Sequence, residues 1–258
     1  IGRHSMYFRN KEHCRWIDDS YMLIGKAYFF KQDYEMAGRT FDFVMKRYRM
    51  NDIKFDAMIW LARNHTQKEE FDQALSILDM INERIESGEV PSRYARHHAL
   101  AFAELYISQE NYAPAIEHLL KGISLSHRKY EKNRLRFILA QIYQGTGRLG
   151  EAADLYSKVI RKNPPYEMAF KAQINRAKCF DAGSGQSREI LKQLQKMLAD
   201  EKNSDYRDQI YFALAEIAMK QQDEAKVREY LRLSVSTSVD NDYQKGISSL
   251  YLADIYYE

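Results

Sequence analysis

Gly145, Gly147 and Gly150 stand in the order Gly-Thr-Gly-Arg-Leu-Gly, the spacing of a dinucleotide-binding turn. That chemistry needs a strand before the turn and a helix opening after it, so that backbone amides meet a pyrophosphate. The preceding residues, RFILAQIYQ, read as helix, which places the three glycines in a tight turn between two helices. The glycines of AGSGQS, residues 182–187, lack the Lys-Ser/Thr ending of a phosphate loop and read as a connector. His97 and His98 are neighbours, so a helix points them about 100° apart, a poor metal pair. They read as ordinary surface or groove histidines. Asp18 and Asp19 read as first-turn acids that complement a helix dipole. Cys14 and Cys179 are the 2 cysteines and form no repeated spacing, so both read as buried or idle thiols. No Ser or Cys has a base and an orienting partner in any recognisable pattern. The sequence therefore assigns no catalytic, cofactor-binding or metal-ligating residue.

The elements behind these residues are helical. Only 4 prolines and 11 glycines interrupt 258 residues, of which 45% are hydrophobic and 29% charged. Such a balance argues for a folded protein and against disorder. Lys and Arg exceed Asp and Glu by 39 to 36, a net charge of +3, too mild for a dedicated nucleic-acid binder. No apolar run is long enough to span a membrane. The opening residues, IGRHSMYFRNKEH, lack an apolar signal core and do not begin with Met, so the sequence is expected to be part of a longer protein. The densest basic stretch, SHRKYEKNRLR at 126–136, reads as a solvated helix end. Of the 19 tyrosines, those off the repeat pattern, such as Tyr21, Tyr94 and Tyr257, read as added contact surface.

A repeat sets the architecture. In residues 20–44, small Gly25 is followed by Tyr28, then Ala37, Phe41 and Val44. The same ladder recurs as Ala62, His65, Ala74, Leu78, Ile81; as Ala103, Tyr106, Ala115, Leu119, Gly122; and as Ala140, Tyr143, Ala152, Tyr156, Val159. A fifth copy opens on Ala177 and Phe180, with a second helix shifted by one residue at Ile190, Leu194 and Met197. Ala215, Ala218, Val227 and Leu231 make a sixth, and Ala253 with Tyr256 begin a truncated seventh. The small anchors lie 37, 41, 37, 37, 38 and 38 residues apart. Each copy predicts two antiparallel helices, with small residues where the helices approach. One hairpin cannot bury its own apolar face, so hairpins must stack.

The ladder resembles the tetratricopeptide repeat family over residues 18–258. The resemblance implies an all-α fold, an α-α superhelix or solenoid of about six hairpins plus a partial seventh. Residues 1–17 then read as a lead-in helix or cap, and 18–258 as a single solenoid domain with repeats starting near 18, 55, 96, 133, 170, 208 and 246. The repeats exceed the usual length of about 34 residues. Repeat register places Asp19, Met22, Lys26 and Phe29 on the inner, partner-binding face of the first hairpin. It adds Ile59, Arg63, Leu100 and Glu104 from the next two, and Phe137 and Gln141 from the fourth. Ile174, Lys178, Phe212 and Glu216 complete the expected face. Mixed apolar and charged groups suit a peptide or protein rather than a small molecule. The lysine–asparagine–arginine clamp with which some relatives grip a C-terminal carboxylate is not matched in any frame.

The lead-in Cys14-Arg-Trp16-Ile-Asp18-Asp19, with Tyr21-Met-Leu-Ile-Gly25-Lys-Ala27-Tyr28, resembles the SprE/PorW lipoproteins of Bacteroidetes gliding motility and type IX secretion. That resemblance implies a non-enzymatic scaffold, without cofactors, joining protein components of the secretion machinery. It implies a place at the periplasmic side of the outer membrane, through an N-terminal lipid anchor outside this sequence that is not Cys14. A cytoplasmic adaptor built on the same repeats is the alternative. A further alternative is an interaction domain attached to an enzyme outside this sequence.

Overall fold

The computed structural model describes residues 7–8, 11–12, 16–179 and 187–257. Its described residues fold into helical hairpins. The first six helices are α1 (Ile17–Phe30), α2 (Tyr34–Arg47), α3 (Ile53–Gln67), α4 (Phe71–Glu86), α5 (Ser92–Ser108) and α6 (Tyr112–Leu125). They are followed by α7 (Lys129–Gly145), α8 (Leu149–Ile160), α9 (Tyr166–Lys178) and α10 (Ser187–Ala199). A 3₁₀ turn at Glu201–Tyr206 leads into α11 (Arg207–Lys220), α12 (Glu224–Thr237) and α13 (Asp242–Tyr257). The odd-numbered helices open a few residues before the expected repeat starts. The ladder marks positions deeper in each helix, so it does not report where the first turn opens.

Two features differ from the sequence reading. Within the stretch expected as a lead-in helix or cap, Tyr7–Phe8 pairs antiparallel with Lys11–Glu12 rather than forming helix. The stretch read as one domain divides into two compact units, one ending at Arg128 and one starting at Lys129. The division falls inside the basic run, whose Arg128, Lys129 and Arg134 are exposed while Asn133 and Leu135 are buried.

Most ladder residues of the first six copies are core, whereas Ala253 and Tyr256 of the seventh are exposed. Ala37, Ala74, Ala115 and Ala152 are all 0% exposed, as are Phe41, Leu78 and Tyr156. Gly25 has no room for a side chain, because a Cβ there would lie 2.5 Å from Cε1 of Phe41. Gly122 answers to the same constraint, with Leu100 Cδ2 2.5 Å from an added Cβ. In the first unit one cluster joins α1, α2 and α3 through Met22, Phe29, Phe41, Val44 and Ala57. Another joins α3, α4, α5 and their connectors through Phe55, Ile59, Leu78, Ile81, Phe102 and Leu105. In the second unit Leu194 and Met197 pack with Phe170, Ile210 and Leu214. Phe180 and all but the last residue of AGSGQS lie outside the described residues.

The glycine motif is explained by the hairpin turns. Gln32, Glu69, Glu110, Gly147 and Gln222 each follow a small anchor by seven positions, and their φ values are 63°, 61°, 55°, 77° and 58°. Each turn closes with the same long bond back to the first helix: Asp33 N–H to the Tyr28 carbonyl at 3.0 Å, Glu70 to His65 at 2.9 Å, Asn111 to Tyr106 at 2.8 Å, Arg148 to Tyr143 at 2.8 Å and Asp223 to Ala218 at 3.0 Å. This is the Schellman closure, which needs one left-handed residue. Gly147 fills that position in the fourth hairpin, where other hairpins tolerate Gln or Glu. Gly145 ends α7 and Gly150 sits in the first turn of α8, so no strand precedes the motif.

Candidate partner-binding groove

Three first helices of the first unit, α1, α3 and α5, build a groove of about 320 Å³. Its lining includes Lys26, Asp56, Ile59, Trp60, Arg63 and Glu104, with Arg93, Tyr94, His97, Leu100 and Ala101 from α5. Trp60 organises the floor. Its ring meets Phe29 edge-on at 5.3 Å and Phe30 at 5.8 Å, and stacks against Phe41 at 6.1 Å. The Arg63 guanidinium lies 4.1 Å from the Trp60 ring centre and the Lys26 ammonium 5.1 Å, both within cation–π reach.

Lys26 and Arg63 are tied to carboxylates of the next hairpin, and Arg93 to one of the preceding hairpin. Lys26 Nζ donates to Asp56 Oδ2 at 2.8 Å, and Arg63 Nε donates to Glu104 Oε2 at 2.6 Å. Gln67 Nε2 donates to the other Glu104 oxygen at 3.1 Å. Arg93 bridges Asp52 Oδ2 at 2.9 Å and the Tyr94 hydroxyl at 3.3 Å. Burial holds the Tyr94 phenol above its ordinary range, so it stays protonated at neutral pH. These pairs fix the spacing of successive hairpins on the inner face. Being partly exposed, each contributes little net stability.

The sequence-derived face divides by depth. Lys26, Ile59, Arg63, Leu100 and Glu104 come together in this groove. Asp19 lies beside it, in a second hollow with Asp18, Asp52 and Asp56. Met22, Phe29 and Phe212 are buried, at most 7% exposed, and serve as core beneath the face, while the buried Ile59 and Ile174 form groove floor. They stand one helical turn from the small anchors, where side chains turn into the neighbouring hairpin. In the second unit Phe137, Gln141, Ile174 and Lys178 line a smaller groove of about 210 Å³ with Lys171, Asn175, Gln209 and Gln244. Lys178 Nζ pairs with Glu216 Oε2 at 3.0 Å and lies 5.1 Å from the Phe212 ring centre. Thus a cation paired across hairpins, over an aromatic ring, recurs in both units.

Tyr94 reads in the sequence as contact surface off the ladder, whereas Asp56, Trp60, Arg93 and His97 were not on the expected face. A signal existed for two of them: Asp56 and His97 occupy the register position of Asp19, six residues before the anchor. Trp60 stands two before its anchor, where most copies carry a small or aliphatic residue, so the ladder gave no warning. His98 is a correction to the reading of both histidines as surface or groove groups. It is 1% exposed, with Nε2 2.8 Å from the Leu78 carbonyl, while His97 lines the groove. Cys179 is buried, and burial pushes its thiol up to about 11. Cys14 lies outside the described residues. Among the described residues no group of three or more His, Cys, Asp or Glu side chains could hold a metal ion. None of the described helices is long and apolar enough to cross a membrane.

The crystal structure of the apo form of RapI overlays with a TM-score of 0.66 at 13% sequence identity, over 93% of this chain and 71% of that one. This chain thus shares with RapI an all-α fold of stacked helical hairpins. Weaker overlays, both with a TM-score of 0.39, are to the yeast Sti1 TPR2AB domain in complex with pHSP90 and to a tetratricopeptide repeat protein from Parabacteroides merdae. The first is 14% identical, covering 93% of this chain and 97% of that one; the second is 13% identical, covering 90% and 98%. No protein-family model and no curated protein matches this chain.

Proposed function

We propose that this chain is a non-catalytic scaffold that docks a protein partner along the inner face of its first helices. The observation that carries this reading is the groove around Trp60. It joins a partly exposed aromatic floor to arginines, the residue types that concentrate binding energy at interfaces. Its rim of paired charges supplies orientation rather than reactivity. The test is affinity capture with the intact chain against a Trp60→Ala, Arg63→Ala variant of unchanged helical content. The reading expects a partner retained by the first and lost by the second. Equal retention by both would move docking off this face.

A finer reading places the scaffold in the cell envelope, as a periplasmic component of type IX secretion held by an N-terminal lipid anchor. It rests on the resemblance of Cys14–Asp19 and Tyr21–Tyr28 alone. Capture from envelope extracts separates it from a cytoplasmic adaptor. Outer-membrane secretion components among the retained proteins support it, and cytosolic proteins alone count against it.

A further inference from the structure

We propose that the groove of the first unit takes an extended peptide in which a basic side chain lies beside an apolar or aromatic one. This specificity rests on the scaffold reading above and adds the chemistry of the partner. The first argument is that the groove's cations are committed. Lys26, Arg63 and Arg93 each already hold a carboxylate of the chain, at 2.8, 2.6 and 2.9 Å. An incoming carboxylate gains Lys26 or Arg63 only by displacing Asp56 or Glu104, whose side chains are 19% and 28% exposed and would be left without a cation; the more exposed Arg93–Asp52 pair sets a lower barrier.

The second argument is the hollow into which the groove opens. It has a volume of about 580 Å³ and shares Asp56, Arg93 and Tyr94 with the groove. It gathers Asp18 and Asp19 from α1, Asp52 from the α2–α3 connector and Asp56 from α3, with Arg93 set against Asp52 and the Lys26 ammonium holding Asp56. The Asp18 and Asp19 carboxylates have no cationic partner among the described residues, and the Arg93 guanidinium is already on Asp52. The chain as a whole carries +3, so this negative patch is local. Dipole complementation accounts for first-turn acids on one helix, but not for their convergence from three segments on one hollow. A peptide crossing both hollows sets an apolar side chain against Trp60, Tyr94 and Leu100, and a Lys or Arg among the free carboxylates.

The test uses the intact chain with Trp16→Phe, which leaves Trp60 as the single tryptophan. The probes are three labelled peptides on one Gly-Ser spacer: Arg with Phe, Asp with Phe, and Arg with Ser in place of Phe. Anisotropy and Trp60 emission are read at about 0.15 M salt, where surface charges more than about 8 Å apart are largely screened. The Arg–Phe peptide should bind at least about tenfold tighter than either other probe and shift Trp60 emission. Asp18→Asn with Asp19→Asn should weaken it about tenfold and reduce its salt dependence, with only the small drop in thermal midpoint that losing two first-turn charges brings. An Asp–Phe peptide binding equally well with the same Trp60 shift would overturn the basic specificity and leave the scaffold reading standing. Arg–Phe binding untouched by the Asp18, Asp19 variant, or absent altogether, would also overturn it. The capture experiment above judges the scaffold separately.

Discussion

His98 packs edge-on against Phe102 at 4.9 Å and uses its Nε2 on the Leu78 carbonyl, while its Nδ1 is buried without a hydrogen-bond partner. Burial first, and the nearby Lys121 and His118 of α6 next, hold its pKa below the ordinary histidine value, with the Leu78 bond and Asp79 of α4 opposing them. His118, stacked on Phe102 at 4.5 Å, is lowered for the same reason. The unfolded chain therefore binds protons that the folded chain refuses. The resulting stability is full above the unfolded value near 6.5 and is lost as pH falls below it. Each histidine contributes a slope of up to about 1.4 kcal/mol per pH unit. Denaturant unfolding at pH 7.5, 6.5 and 5.5 should show this loss, and a His98→Gln, His118→Gln variant should flatten it. An identical slope in the variant would assign the acid sensitivity elsewhere. Adjacency of His97 and His98 was legible in the sequence, but which of the two turns inward depends on α4, whose carbonyl no local pattern announces.

The elements were the most legible part of the chain, because a small residue between helices leaves a periodic trace. Gly25, Ala62, Ala103, Ala140, Ala177 and Ala215 are all buried, and the first helices follow from them. The tuning of the turns was less legible. Of the five left-handed positions described in turns within hairpins, four carry Gln or Glu, residues that do not advertise positive φ. Gly147→Ala should cost about 1 kcal/mol, since a Cβ is strained there. Glu69→Gly in the same position of another hairpin should be neutral or stabilising by up to about 1 kcal/mol. Gly25→Ala should cost about 1–3 kcal/mol through overpacking against Phe41. Thermal or denaturant midpoints check all three. A Gly147→Ala chain as stable as the parent would contradict the turn assignment. The lead-in strand pair was illegible, because two residues on each side leave no alternation to read.

At the scale of the molecule, each hairpin is stabilised by its neighbours, so damage should spread locally and fade. Leu78 is fully buried among Phe55, Ile81, Phe102 and Leu105. Leu78→Ala should cost about 2–5 kcal/mol and lower amide protection most in α3, α4 and α5, with α11 and α12 less affected. Uniform loss across both units would mean that the chain unfolds as one block. The inner face was legible at this scale in part. Repeat register found Lys26, Arg63, Leu100 and Glu104 on the groove but could not tell a presented side chain from a buried one. Burial depends on the hairpin next door, as Met22 and Phe212 show.

The most direct test of the docking face is hydrogen–deuterium exchange of the intact chain with and without a captured partner. The account predicts new protection on the inner side of the first unit, in the peptides that contain Asp56–Arg63 and Arg93–Glu104. It predicts little change in α2, α4 and α6. Protection confined to those second helices, with the Trp60 segment unaltered, would contradict it.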